Sequence, residues 1–267
     1  MLRSRLKMEK CRMKMKERLN IIVHEVQEKG QIRVSELSEL LGCSEVTIRN
    51  DIRKLDEQGR VKKTYGGAVK IESGLTVQFA PGEYYINGDQ KRRIAGKAYE
   101  YIEDGDSIMI DDSTTGCYLA QYIKEHSEKT VSVVTNSVYV AAELSTADHV
   151  RVYMLGGQIS SHPASVMGNI TVESASQYHV NKFFTGIRRI DLMVGMTSAD
   201  AEHAEVKRMM LGKADETYVL ADHTKFGNGS LFTVCTMEEV KRIITDREVA
   251  DEILTLARKL KIPMDVV

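Results

Sequence analysis

The chain has 267 residues, of which 42% are hydrophobic and 28% charged, and its formal net charge is −1. This length leaves room for a small module and a second domain of about 200 residues with a sizeable core. No apolar run approaches the roughly 20 residues that span a bilayer, and none follows the basic N-terminus as a signal peptide requires. The four cysteines form no C-x-x-C pair. We therefore expect reduced thiols and a cytoplasmic protein without membrane contact.

The near-neutral total charge conceals a separation along the chain. Residues 1–70 carry 17 Lys+Arg against 10 Asp+Glu, whereas residues 71–267 carry 20 against 28. A basic segment on an acidic remainder indicates a nucleic-acid contact confined to one end of the protein. We therefore predict an N-terminal DNA-binding domain at 1–70, a linker at 71–89 and a C-terminal domain at 90–267.

Three helices and a hairpin are predicted in the N-terminal segment, which is the layout of a winged helix-turn-helix. The first helix, at about 15–28, supplies Leu19, Ile22, Val23 and Val26 to a small core. Two shorter helices follow, separated by Gly42-Cys43-Ser44, and the second carries Ile48, Ile52 and Leu55 on one face. A basic hairpin beginning at Arg60 forms the wing. We expect Gly66 and Gly67 to take positive φ at its turn.

The polar face of the second short helix predicts a contact with DNA. Arg and Asn side chains match guanine and adenine edges in the major groove, and wing cations can hold phosphates. Ser44 is placed to cap this helix. The predicted DNA-binding residues are Ser44, Glu45, Thr47, Arg49, Asn50, Arg53, Arg60, Lys62, Lys63 and Tyr65, with Arg18 as a further phosphate contact. An ordinary solvated helix face is the alternative interpretation.

The C-terminal segment alternates helices with short β-branched strands. Helices are predicted at 90–103, 115–125, 138–145 and 202–214. Strands are predicted at 107–110, 131–135, 150–155, 182–185, 192–195, 216–220 and 242–245. This alternation predicts an α/β domain with a mostly parallel, doubly wound sheet and helices on both faces.

Polar residues cluster where these strands end, and ligands of open α/β sheets bind just past the carboxyl ends of the strands. Backbone amides at the start of the 115–125 helix could hold an anion, and two lysines could neutralise phosphate charge. The predicted effector-binding residues are Asp111, Ser113, Thr114, Thr115, Asn136, Gly156, Gly157, Glu205, Lys207, Asp222 and Lys225. Plain helix caps, and a solvated face for Lys207, are the alternatives. A role for Asp112 is left open.

Several sequence blocks, taken together, resemble the DeoR-type bacterial transcriptional regulators. They include Thr47-Ile-Arg-Asn-Asp-Ile, Tyr65-Gly-Gly-Ala, Lys91-Arg-Arg-Ile-Ala, Asp111-Asp-Ser-Thr-Thr and Ala221-Asp-His-Thr-Lys-Phe-Gly. The resemblance implies a repressor of a carbohydrate-metabolism operon, with operator DNA and a phosphorylated sugar effector as partners. It also implies a homo-oligomer, a dimer or tetramer, and a C-terminal fold shared with ribose-phosphate isomerase.

No metal-ligand spacing, nucleotide-binding loop or hydrolase elbow occurs in the sequence, so we predict no cofactor, no metal and no catalytic residue. One enzymatic alternative remains open. An active sugar-phosphate isomerase fused to a DNA-binding module would need a carboxylate base and a group that stabilises an enediolate. Asp111, Glu205 and Lys207 are available for those roles.

Overall fold

The computed structural model describes residues 15–57, 60–70, 84, 86–161 and 164–267. The chain divides into two compact units between Ile86 and Asn87. Of the linker expected at 71–89, residues 71–83 and 85 lie outside the described part of the chain.

The first unit contains three helices and three short strands. In chain order these are α1 (Met15–Lys29), β1 (Gln31–Arg33), α2 (Val34–Leu41), α3 (Glu45–Glu57), β2 (Lys62–Lys63) and β3 (Gly67–Val69). The strands pair antiparallel in the order β1-β3-β2. Gly42 ends α2 at φ 63°, a conformation that glycine adopts without steric cost. The prediction of a winged helix-turn-helix is confirmed.

The core of this unit consists of the apolar residues that the helical periodicity selected. Leu19, Ile22, Val23 and Val26 of α1 are buried, as are Ile48, Ile52 and Leu55 of α3. Because these positions recur every three or four residues, each helix presents one apolar face inward and a polar face outward.

A buried ion pair joins α1 to α3, and it corrects one prediction. Arg18, expected at a DNA phosphate, is only 8% exposed, and its guanidinium donates to both carboxylate oxygens of Asp51, at 2.5 and 3.2 Å. Asp51 is itself 3% exposed. Removing one partner would leave a buried charge without compensation, so the pair fixes α3 against α1.

The glycines of the wing differ from the expectation. Neither Gly66 nor Gly67 has a positive φ. A Cβ atom on Gly67 would lie 2.0 Å from the carbonyl oxygen of Ile32, because β3 passes β1 at that point. Gly67 is thus required by the close approach of two backbones, and the turn itself closes with a hydrogen bond from Thr64 N to Gly67 O at 3.0 Å.

The second unit is built on a seven-stranded sheet in which every neighbouring pair is parallel. The strand order is β15-β14-β12-β9-β4-β5-β6. Its members are β4 (Ser107–Ile110), β5 (Val131–Thr135), β6 (Val150–Met154), β9 (Val180–Thr185), β12 (Ala214–Leu220), β14 (Arg242–Thr245) and β15 (Met264–Val266). The prediction of an α/β domain with a mostly parallel sheet is confirmed.

Helices connect these strands, as the alternation predicted. They are α4 (Gly88–Glu100), α5 (Thr114–Glu125), α6 (Val138–Leu144), α7 (Asn169–Ser176), α8 (Ala201–Leu211) and α9 (Asp251–Leu260). Helices α4, α5 and α6 pack side by side, and α7 packs on α8. In the part of the chain that the structure describes, no helix is long and apolar enough to cross a membrane.

Two smaller antiparallel sheets were not anticipated. One is the hairpin of β7 (Gln158–Ser161) and β8 (Ala164–Met167), and the other joins β10 (Arg189–Asp191), β11 (Gly195–Ser198) and β13 (Phe232–Cys235). The strand predicted at 192–195 is wrong. Its apolar residues Met193 and Val194 lie exposed in the turn between β10 and β11, where Asp191 Oδ1 accepts from Met193 N at 2.9 Å.

The two wing glycines offer a matched pair of substitutions. Gly67→Ala places a methyl group against the Ile32 carbonyl, so we expect it to destabilise the N-terminal unit by about 1–3 kcal/mol, the usual cost of overpacking. Gly66→Ala meets no atom within 4 Å and should be tolerated. Calorimetric unfolding of the full chain would measure both, and equal stability of the two variants would contradict the close-approach argument.

Candidate functional sites

The exposed face of α3 carries most of the predicted DNA contacts. Ser44 caps the helix, since its hydroxyl accepts from Thr47 N at 3.2 Å and lies 2.9 Å from the Thr47 hydroxyl. Glu45, Arg49, Asn50 and Arg53 are all exposed, whereas Thr47 is half-buried. These side chains project from the face of α3 opposite the core residues Ile48, Ile52 and Leu55.

The charged side chains on this face pair with one another. Arg49 donates to Glu45 at 2.7 Å, and both side chains remain about half exposed. Arg53 donates to Asn50 Oδ1 at 3.0 Å. Exposed pairs of this kind contribute about 0.3–0.5 kcal/mol, so DNA bases can displace them at little cost.

The wing carries a second group of predicted DNA contacts, and these side chains differ in their exposure to solvent. Lys62 and Lys63 are exposed on β2, and Tyr65 is fully exposed at the turn. Arg60 is half-buried and donates to Asn20 Oδ1 on α1 at 2.9 Å. Arg60 therefore ties the start of the wing to α1, and the two lysines are the wing cations most accessible to a phosphate.

In the second unit, the predicted effector residues line the carboxyl ends of adjacent strands. Asp111 follows β4 and Asn136 follows β5, and Gly186, which was not among the predicted residues, follows β9. Asp222 lies two residues after the end of β12, which neighbours β9. The carboxyl ends of parallel strands meet at one edge of the sheet, so these residues share that edge.

Asp111 is fully buried and enclosed by donors. Its carboxylate accepts from Ser113 N at 3.0 Å, the Thr185 hydroxyl at 2.6 Å and Gly186 N at 3.0 Å, and it forms an ion pair with Lys207 Nζ. Burial alone would raise the pKa of Asp111. The Lys207 charge and the hydrogen bonds from Ser113 and Thr185 outweigh it and hold that pKa below its ordinary value.

Lys207 is committed to the same cluster rather than solvated. It is buried on α8, donates to Gly186 O at 3.1 Å, and lies 3.5 Å from Asp112 Oδ1 as well as against Asp111. Burial would lower the pKa of Lys207, but the two carboxylates raise it above its ordinary value. Interpretation of Lys207 as a solvated face is wrong, because its ammonium group has three protein acceptors.

The start of α5 has the geometry of an anion site. Ser113 caps the helix by accepting from Gly116 N at 3.0 Å, and Cys117 N donates to Ser113 O. In the described chain, the backbone amides of Thr114 and Thr115 have no acceptor. Two unpaired amides at a helix N-terminus, beside two threonine hydroxyls, can receive phosphate oxygens.

Asn136 and the glycine pair occupy the ends of β5 and β6. Asn136 is 1% exposed, and its amide donates to Val166 O at 3.5 Å. Its side-chain oxygen has no hydrogen-bond partner among the described residues. Gly156 N donates to the Ser174 hydroxyl at 3.2 Å. Gly157 has φ 143°, and a Cβ atom there would lie 2.1 Å from Thr171 Oγ1, so this glycine lets β7 pack on α7.

A cluster of Asp222, His223 and Asp246 lies at the ends of β12 and β14, with potential metal-ligand atoms within 4.8 Å of one another. Its groups are already bonded to one another and to neighbouring residues. Asp222 accepts from Asn87 Nδ2 at 3.2 Å, and the His223 imidazole lies 3.0 Å from Asp246. Burial would raise the pKa of Asp246, but hydrogen bonds from Glu248 and His223 lower it. His223 and Asp246 therefore hold each other, whereas Asp222 is held by Asn87 and Thr224.

Two predicted residues at this edge have side chains without a bonded partner in the described chain. Lys225, half-buried in the short 3-10 helix His223–Lys225, has a free ammonium group. Glu205 is exposed on α8, whereas Lys207 on the same helix is buried. The structure therefore does not bring Glu205 into the buried cluster with Asp111 and Lys207.

Four residues of this edge escaped the sequence prediction. Thr185 ends β9 and Gly186 follows it, Asp246 follows β14, and His203 on α8 lies 3.3 Å from Asp112. The strands at 182–185 and 242–245 had been recognised, so the strand-end rule would have selected three of the four. His203 carries no such signal, because its contact with Asp112 spans ninety-one residues of chain.

Comparison with known proteins assigns both units. Residues 18–74 match the DeoR-like helix-turn-helix domain, and residues 86–247 match the DeoR C terminal sensor domain. A Bacillus subtilis (strain 168) protein described as an uncharacterized HTH-type transcriptional regulator, YulB, is 34% identical over 86% of this chain and 88% of its own length.

Two further comparisons, one with a relative and one with a solved structure, differ in how much they support. The putative aga operon transcriptional repressor of Escherichia coli O157:H7 is 31% identical over 91% of this chain and 90% of its own length. Ribose 5-phosphate isomerase A from Methanocaldococcus jannaschii is 18% identical with a TM-score of 0.40, covering 53% of this chain and 55% of its own, which is too weak to bear on fold or function. By its two matched domains and its full-length relatives, this chain belongs to the DeoR family of transcriptional regulators.

Proposed function

We propose that this protein is a repressor of a carbohydrate-metabolism operon whose affinity for its operator is controlled by a phosphorylated sugar. The observation that carries the proposal is the pairing of a basic winged helix-turn-helix with a sensor domain in which, among the described residues, the backbone amides of Thr114 and Thr115 at a strand end have no acceptor. The relatives' names, among them an aga operon repressor and a lactose phosphotransferase system repressor, support the carbohydrate assignment.

For DNA, we assign Arg49, Asn50, Arg53 and Thr47 to base edges in the major groove and Lys62 and Lys63 to phosphates. The α3 side chains are exposed on one face, which the Arg18–Asp51 ion pair and the buried apolar face hold in place. Ser44 acts as the cap of α3, Glu45 orients Arg49, and Tyr65 reaches DNA from the tip of the wing.

For the effector, we assign the phosphate to the unpaired amides of Thr114 and Thr115 and to the ammonium group of Lys225. Lys207 is not available to a phosphate, because its charge is balanced by Asp111 and Asp112. Asp111 and Lys207 act as positioning residues that hold the ends of β4 and β9 on α8. Asn136 and Asp222 lie at the ends of β5 and β12 beside this site.

The geometry does not favour the isomerase alternative. A general base must reach a substrate carbon, and Asp111 is enclosed by protein donors while Glu205 is exposed and outside the buried cluster. We therefore assign the sensor domain to binding without turnover, in agreement with relatives that are named as regulators.

Replacing Arg49 and Lys62 by alanine should have different effects on DNA binding. Arg49→Ala removes a base contact, so operator affinity should fall by about 1–3 kcal/mol while weak binding to random DNA persists. Lys62→Ala should weaken binding to both DNAs alike and reduce the salt slope by about 1. Anisotropy titrations over a range of salt, on a fragment selected from genomic DNA and on a scrambled copy, would measure both. Unchanged discrimination by the Arg49 variant would refute its assignment.

Replacing Lys225 should weaken binding of phosphorylated sugars specifically. Lys225→Met removes a charge-assisted contact, so we expect about tenfold lower affinity for the phosphorylated sugar and little change for its free counterpart. Lys213→Met is the matched control, because Lys213 is also half-buried but lies at the amino end of β12. Isothermal titration calorimetry would measure both variants. An equal loss in the two would contradict a phosphate site at Lys225.

We also propose that the protein acts as a homodimer or tetramer on DNA. One winged module covers a single half-site, and two recognition helices on one face of the duplex must be spaced by about 34 Å or multiples of it. Sedimentation equilibrium of the full chain, with and without a two-half-site fragment, tests this. A monomer that binds one half-site with full affinity would exclude it.

A further inference from the structure

The second carboxylate of the strand-end cluster, Asp112, has a buried oxygen that nothing in the described chain satisfies. Asp112 is 4% exposed, and its Oδ1 lies 3.5 Å from Lys207 Nζ. Its Oδ2 makes no hydrogen bond among the described residues, although His203 Nδ1 lies 3.3 Å away, because the required geometry is not met. An unpaired buried carboxylate oxygen is costly, so its presence calls for an explanation.

Lys207 does not compensate the charge of Asp112 fully, because its ammonium group lies closer to Asp111. Asp111 takes the close ion pair with Lys207 together with the Thr185 hydroxyl and the amides of Ser113 and Gly186. From Lys207, Asp112 receives only the longer contact at 3.5 Å, and its Oδ2 lies 3.3 Å from the His203 imidazole without a hydrogen bond. Two buried carboxylates thus share one ammonium group, and Asp112 is the less compensated of the two.

A second unsatisfied acceptor lies at the end of the neighbouring strand. The side-chain oxygen of Asn136 is buried without a partner in the described chain, and β4 and β5 are paired up to Ile110 and Thr135. Asp112 and Asn136 therefore both present an unfilled oxygen at the same edge of the sheet. Any group that satisfies them must donate a hydrogen, which a phosphate dianion cannot do.

We propose that Asp112 and Asn136 are specificity-determining residues that accept hydrogen bonds from donor groups on the carbon skeleton of the effector. The donors are hydroxyl or amino groups, and the phosphate lies apart from them at the amides of Thr114 and Thr115. Two peptide units separate Asp112 from Thr114, so the two subsites lie within about 7 Å along the chain. This inference rests on the proposed function, because it assigns the other end of the same effector.

The His203 side chain places this corner next to the protein surface. It remains 23% exposed beside Asp112, whose Oδ2 is buried. A donor from the effector would give Asp112 the hydrogen bond that His203 does not supply. An effector without a donor at this position would leave both oxygens unsatisfied and bury them further, which is the basis of discrimination between sugars.

A purely structural role makes the opposite prediction for stability. If Asp112 served only to support Lys207, Asp112→Asn would lower the melting temperature of the ligand-free protein. In our proposal the same substitution relieves an under-compensated buried charge, so the ligand-free protein keeps or raises its melting temperature while it loses affinity for effector.

The matched control is Asp106→Asn. Asp106 lies at the amino end of β4, is also buried, and pairs with Lys182 at 2.6 Å. Its Oδ2 accepts both from Lys182 Nζ and from Glu103 N at 2.7 Å. Asp106→Asn should therefore lower the melting temperature and leave effector affinity unchanged, the reverse of Asp112→Asn.

The experiment is a thermal-shift screen followed by calorimetric titration of the full-length protein. The probes are glucose 6-phosphate, 2-deoxyglucose 6-phosphate, glucosamine 6-phosphate, fructose 6-phosphate, ribose 5-phosphate, the free sugars and inorganic phosphate. For the sugar phosphate that binds the parent best, Asp112→Asn should lower affinity by about tenfold or more, the effect of losing a hydrogen bond to a charged group. Affinity for inorganic phosphate should stay the same.

Comparison of the probes identifies the donor. A stronger preference for glucosamine 6-phosphate over glucose 6-phosphate in the parent than in Asp112→Asn indicates an amino group at Asp112. The other case is a parent that prefers glucose 6-phosphate to its 2-deoxy analogue, or one sugar phosphate to another with a different carbon skeleton. If Asp112→Asn reduces that preference, the donor at Asp112 is a hydroxyl group. Asp112→Ala, which removes the charge without adding a donor, repeats the measurement if the Asn variant fails to fold.

The outcomes separate this inference from the function on which it rests. If the parent binds a phosphorylated sugar and both Asp112 variants bind it equally well with unchanged selectivity, the inference is overturned and the proposed function stands. A parent that binds no phosphorylated sugar overturns both. Loss of affinity in Asp112→Asn accompanied by an equal loss in Asp106→Asn also overturns the inference, because the effect would then be one of general stability.

Discussion

The sensor domain depends on the buried carboxylate of Asp111. It bonds the end of β9 through Thr185 and Gly186, the first turn of α5 through Ser113, and α8 through Lys207. Strand β4 lies between β9 and β5, so this one side chain anchors the middle of the sheet's carboxyl edge. Removing either member of a buried ion pair costs about 3–5 kcal/mol, because the other charge is left without a partner. The end of β9, the start of α5 and the buried lysine of α8 are therefore held together at this one carboxylate.

The recognition helix of the N-terminal unit has a comparable anchor in Arg18 and Asp51. Both units thus use a buried ion pair to fix a functional element, but the contacts made by the functional faces themselves are weak. Breaking the exposed ion pair of Glu45 and Arg49 costs little free energy, whereas breaking the buried ion pair of Asp51 and Arg18 costs about 3–5 kcal/mol. With the DNA contacts proposed above, this difference would let α3 keep its position while its outer side chains exchange partners.

The sequence predicted those parts of the fold in which periodicity is continuous. Ile48, Ile52 and Leu55 recur at helical spacing, and the β-branched runs at 107–110, 131–135 and 242–245 became strands with the expected bounds. Strands β7 and β8 are short and rich in serine, so no apolar alternation marks them. The strand predicted at 192–195 failed because Leu192-Met-Val is apolar, and only the hairpin pairing of β10 with β11 shows that two of these residues are exposed in a turn.

The sequence predicted where the candidate site lies, but not which of its charged side chains pair with one another. The strand-end rule located Asp111, Asn136 and Asp222, because it needs only the order of strands and polar residues. It could not show that Lys207, ninety-six residues from Asp111 in the chain, would be consumed by that carboxylate. It likewise gave no sign that Arg18 would be buried. From the sequence alone, Lys207 and Arg18 both resemble phosphate ligands. Their carboxylate partners lie far away in the chain, so a local sequence pattern cannot reveal them.

Unsatisfied acceptors at this edge also bear on how a ligand could regulate the protein. An effector can shift a conformational equilibrium only by binding one state more tightly than the other. Among the residues that the structure describes, one side-chain oxygen each of Asp112 and Asn136 has no donor, so a ligand that supplies donors would favour this conformation. Satisfying a buried acceptor is worth about 1–3 kcal/mol, which equals the coupling typical of allosteric proteins. In the proposed mechanism, a second conformation that separates the ends of β4 and β5 would lose these hydrogen bonds, and that loss is large enough to set the response.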